Sequence, residues 1–265
     1  MEPLMKYFLL FMFSLALQTG AQAAPVKSAD ANPAKIQWIK IPGGSFIMGS
    51  DTGDMEGPAH QVTLKPFQMS KSVVTNKQWK ACVAAGKCEA INRDCLTLPD
   101  HQVLDGDDQP AVCMTVEAAD GFAEWAGGFI PTEAQWEYAA RSAGKDQRYP
   151  WGNEKPSCAR AVIHPADGSA GCGKNQSWPV CSKPKGNTAQ GLCDMVGNVS
   201  QWTKDLYKNT YAGAPTDGSA RLDQGLNDRV IRGSDWAQQD YYHLTWRNIT
   251  GADRRRPSLG LRLVK

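Results

Sequence analysis

The segment from Phe129 to Arg141, FIPTEAQWEYAAR, places the strongest local constraint on how this chain folds. Thr132, followed three residues later by Gln135, has the form of a capping box. The Thr hydroxyl accepts a hydrogen bond from the third helical N–H, and the Gln side chain reaches back to the cap. The sequence therefore predicts a helix that begins directly after Thr132.

The predicted helix has two chemically different faces. Trp136, Ala139 and Ala140 fall on one face at helical spacing, and Glu133 and Glu137 fall on another. Glu133 also lies in the first turn, where the helix dipole favours a negative charge. We expect an amphipathic helix at this point of the chain.

This stretch, extended to AGGFIPTEAQWEYAAR and followed by YPWGNE, resembles the signature of the formylglycine-generating enzyme (sulfatase-modifying factor) family. The resemblance implies an α+β, C-type-lectin-like fold with little regular secondary structure, and a single domain over 36–265. It continues in order through IPGGSFIMGS at 41–50, EGPAHQVTL at 56–64, VTNKQW at 74–79, GLCDMVGNVSQW at 191–202 and RVIRGS…GLRLV at 229–264.

The beginning of the chain carries the pattern of an export signal. Lys6 precedes an apolar run over 7–17, and Ala21-Gln22-Ala23 is the small-x-small pattern that a signal peptidase cleaves. We predict a signal peptide at 1–23, a flexible leader at 24–35 and a periplasmic or secreted protein; the alternative is a buried N-terminal helix. The apolar run is shorter than the ~20 residues of a membrane-spanning helix, so no membrane span is expected.

The cysteine content agrees with export. An even number of Cys in an exported chain favours disulfides, and the short spacing makes Cys82–Cys88 the first pairing to expect. No Cys-x-x-Cys occurs and the four His are scattered, which disfavours zinc. The eight Cys are at 82, 88, 95, 113, 158, 172, 181 and 193.

Secondary structure is predicted mainly in the first half of the chain. A second capping box, Thr75 with Gln78, predicts a helix that ends near Gly86. Another helix is expected over 116–126, and strands over 36–41, 44–48 and 61–64. From Gly144 onward, Gly, Pro, Asn and Asp interrupt any periodicity, so an irregular but packed structure is expected there.

Charge argues against nucleic acid as a partner. The formal net charge is +2, and the only basic cluster, Arg254-Arg255-Arg256, is typical of a solvated loop. We expect a protein, peptide or small-molecule ligand instead.

The family resemblance implies a structural calcium site in GLCDMVGNVSQW. Carried over position by position, its ligands are Asp194, Gly197, Val199 and Gln201, with Gln201 replacing a Glu. Because calcium affinity rises with carboxylate count, the neutral amide should weaken the site. The alternative is a hydrogen-bonded turn in which Asp194 is a local cap and no ion binds.

The last block departs from the family at its catalytic residues. The family's oxidases bind Cu(I) through two Cys that follow an Arg-Gly-Gly-Ser-aromatic turn, and thiolates are the ligands that select Cu(I). Here the matching turn spans 232–236, and Gln238 and His243 stand where the two Cys would fall. The sequence therefore predicts no catalytic Cys pair and no copper.

The cleft where the family binds its substrate is expected beside this turn. Aromatic surfaces and a guanidinium would suit a peptide carboxylate or a sugar face; the alternative is that the aromatic residues fill the core and that His243 is a packed, hydrogen-bonded residue. The candidate binding residues are Trp236, Tyr241, Tyr242, His243, Trp246 and Arg247.

Three functions follow from the resemblance. The first is an exported ligand- or peptide-binding protein or accessory scaffold without oxidase activity. The second is an oxidoreductase of the superfamily that acts on a protein or small molecule by other chemistry. The third, a copper-dependent formylglycine-generating oxidase, is disfavoured by the missing Cys pair.

Overall fold

The computed structural model describes residues 32–53, 55–166, 168 and 170–265. The predicted signal peptide at 1–23, and the predicted leader as far as residue 31, lie outside the described residues. The helices are α1 (Asn76–Ala84), α2 (Arg93–Leu96), α3 (Val116–Trp125) and α4 (Glu133–Ala140). None of these helices is long and apolar enough to cross a membrane. The strands are β1 (Trp38–Ile41), β2 (Gly44–Met48), β3 (His60–Leu64), β4 (Phe67–Ser70), β5 (Ser200–Leu206), β6 (Asp228–Arg232), β7 (Asn248–Gly251) and β8 (Leu259–Gly260).

Within the described part of the chain the strands form three small sheets. β1 pairs with β4 and β2 with β3, while the third sheet has the order β7-β6-β5-β8. The β5–β8 pair is parallel and the other pairs are antiparallel. The strands predicted at 44–48 and 61–64 agree with β2 and β3, whereas the strand predicted at 36–41 begins only at Trp38. Short helices and small sheets give the predicted α+β fold.

Both predicted capping boxes are present. At the start of α4 the Thr132 hydroxyl accepts from the Gln135 backbone N–H at 3.1 Å, and the Gln135 side chain accepts from the Thr132 N–H at 3.0 Å. Thr75 and Gln78 make the same reciprocal pair before α1. Each box satisfies two N–H groups that the helix itself leaves without partners, so both helices begin where the sequence predicts.

Helix α4 is buried on both of its predicted faces. Trp136, Ala139 and Ala140 are almost inaccessible, and so are Glu133 and Glu137, at 2% and 0% exposure. The expectation of an amphipathic helix is therefore wrong for α4, because this helix packs against β2 on one side and against β5 and β6 on another. Two carboxylates in such a position need cationic or hydrogen-bonding partners.

Four disulfides pair all eight cysteines. The expected pair Cys82–Cys88 is present. The other three join Cys95 to Cys113, Cys158 to Cys172, and Cys181 to Cys193. The last two lie in the long segment between α4 and β5. Val162 and Leu192 of that segment are fully buried, so it is irregular but packed, as predicted.

The end of the predicted leader belongs to the packed structure. Lys35 N–H donates to the Asn32 carbonyl at 2.9 Å, and Ile36 N–H donates to the Asn32 side chain at 2.8 Å. Ala34 is buried against the core. The prediction of a flexible leader is therefore wrong for residues 32–35, because this turn covers apolar surface.

Candidate functional site

A cleft of about 790 Å³ lies at the C-terminal end of α4. Three segments form its walls: the loop between β2 and β3, the chain that follows α4, and residues 241–246. The side chains that matter for its chemistry are Glu56, Arg141, Arg148, Tyr241, His243 and Trp246.

The loop between β2 and β3 folds back on itself and so brings Glu56 to the cleft. Ser50 N–H donates to the Glu56 carbonyl at 2.9 Å, and Glu56 N–H donates to the Gly53 carbonyl at 3.2 Å. Gly49 has a φ of +81°, and a Cβ atom there would lie 2.3 Å from the Glu56 carbonyl oxygen. Only glycine permits this approach, so Gly49 is required for the position of Glu56.

The chain after β6 turns back to form the opposite wall. The Ser234 hydroxyl donates to the Tyr241 carbonyl at 2.6 Å, which closes the turn. Leu244 N–H donates to the Arg148 carbonyl at 3.0 Å, which fastens this wall to the chain after α4. His243, between these two anchored residues, lines the cleft.

His243 and Glu56 form a hydrogen-bonded pair across the cleft. The distance from His243 Nε2 to Glu56 Oε1 is 2.8 Å. Burial alone would raise the pKa of Glu56, but hydrogen bonds from His243 and Thr245 outweigh it and hold the pKa below its ordinary value. An ionised carboxylate only accepts hydrogen bonds, so Nε2 is the donor and carries the ring proton. The geometry is that of an imidazole oriented by a carboxylate.

Two aromatic rings beside His243 form a flat surface. Tyr241 and Trp246 are stacked, with ring centroids 4.1 Å apart and planes inclined by 20°. Tyr241 is 51% exposed, which is unusual for a large aromatic side chain, and both rings line the cleft. The edge of His243 meets Trp246 at 6.2 Å between centroids. The cleft therefore places a titratable group next to an accessible aromatic face.

Glu133, the first residue of α4, binds two arginines. Arg247 donates from Nε to Oε1 at 2.7 Å and from Nη2 to Oε2 at 3.0 Å. Arg232 donates from Nη1 to Oε1 at 2.8 Å. Burial alone would raise the pKa of Glu133, but the charges of Arg247 and Arg232 outweigh it and lower the pKa.

Glu137, one turn later, continues the same network. Its Oε2 accepts from Arg232 Nη2 at 2.6 Å, and its Oε1 accepts from Arg141 Nε at 2.9 Å. The Gly49 backbone N–H also donates to Oε1, at 3.1 Å. One face of α4 thus presents two carboxylates to three guanidiniums, all of them buried.

The guanidiniums of this network also hold both walls of the cleft. Arg232 Nη2 donates to the carbonyl of Leu244, next to His243. Arg247 Nη1 donates to the carbonyl of Met55, next to Glu56, at 3.0 Å. The ion network on α4 therefore fixes the two backbone segments that carry the His243–Glu56 pair.

A third acid, Asp205, lies against the network, and its pKa is shifted in the opposite direction from that of Glu133. Asp205 accepts from the backbone N–H groups of Glu133 at 2.7 Å and Arg221 at 2.9 Å. Burial, together with the charge of Glu133, raises the pKa of Asp205 to about 7. The second of these causes is the repulsion expected between two neighbouring buried carboxylates.

The structure divides the predicted binding residues into two groups. Tyr241, His243 and Trp246 line the cleft. The other three are buried: Trp236 in one apolar cluster, Tyr242 in another, and Arg247 against Glu133. The expectation that Trp236, Tyr242 and Arg247 offer a ligand-binding surface is wrong, because packing and an ion pair occupy these side chains.

The two positions of the lost Cys pair also separate. His243 is on the cleft wall. Gln238 is outside the set of lining residues; its carbonyl accepts from the Tyr242 hydroxyl, and its N–H donates to Asp235. Glu56, the partner of His243, was missed from sequence although it begins the block EGPAHQVTL, because nothing local distinguishes it from a surface acid.

Two of the predicted calcium ligands, Gln201 and Asp194, accept hydrogen bonds from neighbouring groups through a side-chain oxygen. Gln201 Oε1 accepts from Trp136 Nε1 at 2.9 Å and from Arg262 Nε at 3.0 Å, while Gln201 Nε2 donates to the Asp194 carbonyl at 2.8 Å. Asp194 Oδ2 accepts from Cys181 N–H at 2.6 Å. Both donors to Gln201 can only donate, so its amide oxygen is committed and Asp194 faces an N–H group. These side chains fit a hydrogen-bonded turn better than a calcium site.

One cluster of metal-ligating atoms occurs among the described residues, at Cys181, Cys193 and Asp194. The two sulfur atoms in it are bonded to each other. Thiolates, not disulfides, ligate metals, so this cluster does not offer a metal site.

Comparisons with known proteins identify the family to which this chain belongs. The pattern of the sulfatase-modifying factor enzyme 1-like domain matches residues 22–265. A formylglycine-generating enzyme of Streptomyces coelicolor is 30% identical, with 84% of this chain and 88% of that protein covered. A hercynine oxygenase of Mycolicibacterium smegmatis is 28% identical over 85% of this chain, which spans 60% of that protein. The structure of PvdO from Pseudomonas aeruginosa superposes with a TM-score of 0.74 at 31% identity, covering 88% of this chain and 95% of PvdO.

Removal of the charge on Glu133 should destabilise the protein strongly. Glu133→Gln leaves Arg247 and Arg232 buried without their carboxylate, and breaking a buried ion pair typically costs about 3–5 kcal/mol. Denaturant unfolding should show this loss. Glu117→Gln, an exposed acid in the first turn of α3, is the matched control and should unfold as the wild type does. Equal stability of the two variants would mean that the network contributes little.

The state of Gln201 predicts how the protein responds to calcium. A chelator should leave the wild-type melting temperature unchanged, because the amide already satisfies the surrounding groups. Gln201→Glu replaces the N–H group that faces the Asp194 carbonyl with an oxygen. The melting temperature of this variant should therefore rise with calcium concentration. Gln239→Glu, at an exposed position, is the control. If chelator lowers the melting temperature of the wild-type protein, the interpretation as a hydrogen-bonded turn is wrong and the predicted calcium site is supported.

Proposed function

We propose, on the premise that this chain belongs to the sulfatase-modifying factor enzyme 1-like family, that it is an exported ligand-binding member of that family without copper-dependent oxidase activity. The observation that carries the proposal is the content of the cleft. It offers an imidazole–carboxylate pair and a stacked aromatic surface, and no cysteine lines it.

The donor set does not fit Cu(I). Soft thiolates select this ion, and each of the eight cysteines of the chain is in a disulfide. At the positions of the family's Cys pair, the neutral amide of Gln238 is a poor copper ligand and His243 is hydrogen-bonded to Glu56.

The cleft suits a small planar ligand or one flat group of a peptide. Its volume of about 790 Å³ is within the ~300–1,000 Å³ typical of small-molecule sites. The exposed ring of Tyr241, stacked on Trp246, offers a flat surface on which a ring would lie. Arg148, exposed at the rim, favours a ligand with an anionic group.

Export is supported by two features of different kind. Disulfides persist in oxidising compartments and are rare in the cytosol, and this chain has four. The sequence pattern at 1–23 is that of a signal peptide. We therefore propose a periplasmic or secreted location.

The alternative function is an enzyme of the same superfamily with other chemistry. The His243–Glu56 pair favours it, since a binding surface alone has no need of an oriented imidazole. The similarity to a hercynine oxygenase gives a precedent for different reactions on related chains.

Two assays test the proposal. Purified protein supplied with Cu(I), oxygen and a Cys-x-Pro-x-Arg peptide should form no aldehyde. Titration with a planar anionic probe, 2-naphthoate, should quench tryptophan fluorescence, and Tyr241→Ala or Trp246→Ala should weaken binding about fivefold, since stacking on an aromatic face contributes about 1 kcal/mol.

Phe129→Ala is the matched control for the binding assay. Phe129 is an exposed aromatic residue that does not line the cleft, so its removal should leave affinity unchanged. Aldehyde formation would contradict the non-oxidase proposal. Equal affinity of all three variants would contradict a ligand site on the aromatic pair.

A further inference from the structure

We propose that His243 and Glu56 form a general-base dyad that removes a proton from a planar ligand lying against Tyr241 and Trp246. The inference rests on the proposed ligand-binding cleft and adds a chemical step to it. The class of ligand is a conjugated ring system with an acidic C–H or N–H group at its edge.

The hydrogen bond between the two residues decides which ring nitrogen can act as the base. The Glu56 carboxylate accepts the Nε2 proton at 2.8 Å. In the neutral imidazole, the lone pair is then on Nδ1. Among the described residues no hydrogen bond engages Nδ1 of His243. The nitrogen that remains is therefore the one able to accept a proton from a ligand.

Burial separates the roles of the two side chains. The side chain of Glu56 is 6% exposed, whereas that of His243 is 21% exposed and lines the cleft. A ligand can reach the imidazole. The carboxylate of Glu56 is shielded from solvent and also accepts a hydrogen bond from the Thr245 side chain. His243 is thus the proposed catalytic residue, and Glu56 is a positioning residue that also stabilises the imidazolium.

The charges around the dyad come from every wall of the cleft. Arg232 lies close enough to Glu56 to favour its ionised form. Arg141 is compensated by Glu137, at 2.9 Å. The remaining charged or titratable side chains that line the cleft are Asp146, Arg148 and Tyr241. The two acids and two arginines that line the cleft cancel in formal charge, so an anion that forms on the ligand is stabilised locally, by Arg148 and by the imidazolium of His243.

The step is balanced without an oxidant. The ligand proton passes to Nδ1, the bonding electron pair stays on the ligand, and Glu56 compensates the imidazolium charge. The electron pair then either expels a leaving group or is protonated at another atom of the ring system. The reaction class is therefore base-promoted elimination or tautomerisation, and a conjugated ligand is needed to delocalise the electron pair.

The probe for this activity is 5-nitrobenzisoxazole, a planar ring with one acidic C–H bond. When a base takes that proton, the N–O bond breaks, a nitrile forms and a coloured phenolate is released. The wild-type protein should open the ring with saturation kinetics. His243→Gln should reduce the rate by at least about 100-fold, the usual contribution of a general base.

Two variants separate a chemical role from a structural one. Glu56→Gln should lower kcat and leave KM near the wild-type value, because the imidazolium that forms in the step loses its negative partner while the ligand still lies against Tyr241 and Trp246. A merely structural role would raise KM as well as lower kcat. His101→Asn is the control, since His101 is exposed outside the cleft and has a φ of +65°, which Asn tolerates. Melting curves confirm that each variant is folded.

Binding of the reaction product, 2-cyano-4-nitrophenol, distinguishes failure of this inference from failure of the proposed function. If Tyr241→Ala raises KM and weakens product binding while His243→Gln abolishes ring opening, both stand. If the product binds in the cleft but His243→Gln opens the ring as fast as wild type, the base is refuted and the binding cleft stands. If neither probe nor product binds, both proposals are wrong.

Discussion

The buried ion network on α4 is the interaction on which the rest of this structure depends. Glu133 and Glu137 are one turn apart on a single helix and together bind Arg232, Arg247 and Arg141. Removing such charges from water is costly, so each guanidinium must find several acceptors. They find them partly in the carboxylates and partly in backbone carbonyls of loops. In a fold with short strands and long irregular segments, these side chains satisfy backbone carbonyls that would be paired by strand–strand hydrogen bonds in a regular sheet.

The same network links the fold to the cleft. The carbonyls that Arg232 and Arg247 bind are those of Leu244 and Met55, the immediate neighbours of His243 and Glu56. Two loops that are distant in sequence are thereby held at the distance that a hydrogen bond between an imidazole and a carboxylate requires. The cleft is built on irregular chain, yet arginines bound to the carboxylates of helix α4 set its geometry. Its Tyr241–Trp246 surface faces solvent, while the charged groups that support it do not.

Local sequence was enough to predict the features that depend on local contacts. The capping boxes at Thr132 and Thr75 and the pair Cys82–Cys88 involve residues that are close along the chain, and all are present. Strand β5, SQWTKDL, was not predicted because most of its residues are polar although nearly all are buried, so the segment shows neither alternation nor an apolar run. The burial of Glu133 was missed because its partners are about a hundred residues away. Arg247 was misjudged for the same reason: the acid that pairs with it is not visible from its own segment.

The state of the His243 imidazole tests most directly whether the network holds a formed dyad in the free protein. Long-range proton–nitrogen NMR of protein labelled with nitrogen-15 in histidine reports which ring nitrogen carries the proton. At a pH where the imidazole is neutral, we expect a single tautomer with the proton on Nε2, slow to exchange with water, and an unprotonated Nδ1. A proton on Nδ1, or a rapid average of both tautomers, would contradict a dyad fixed by the fold.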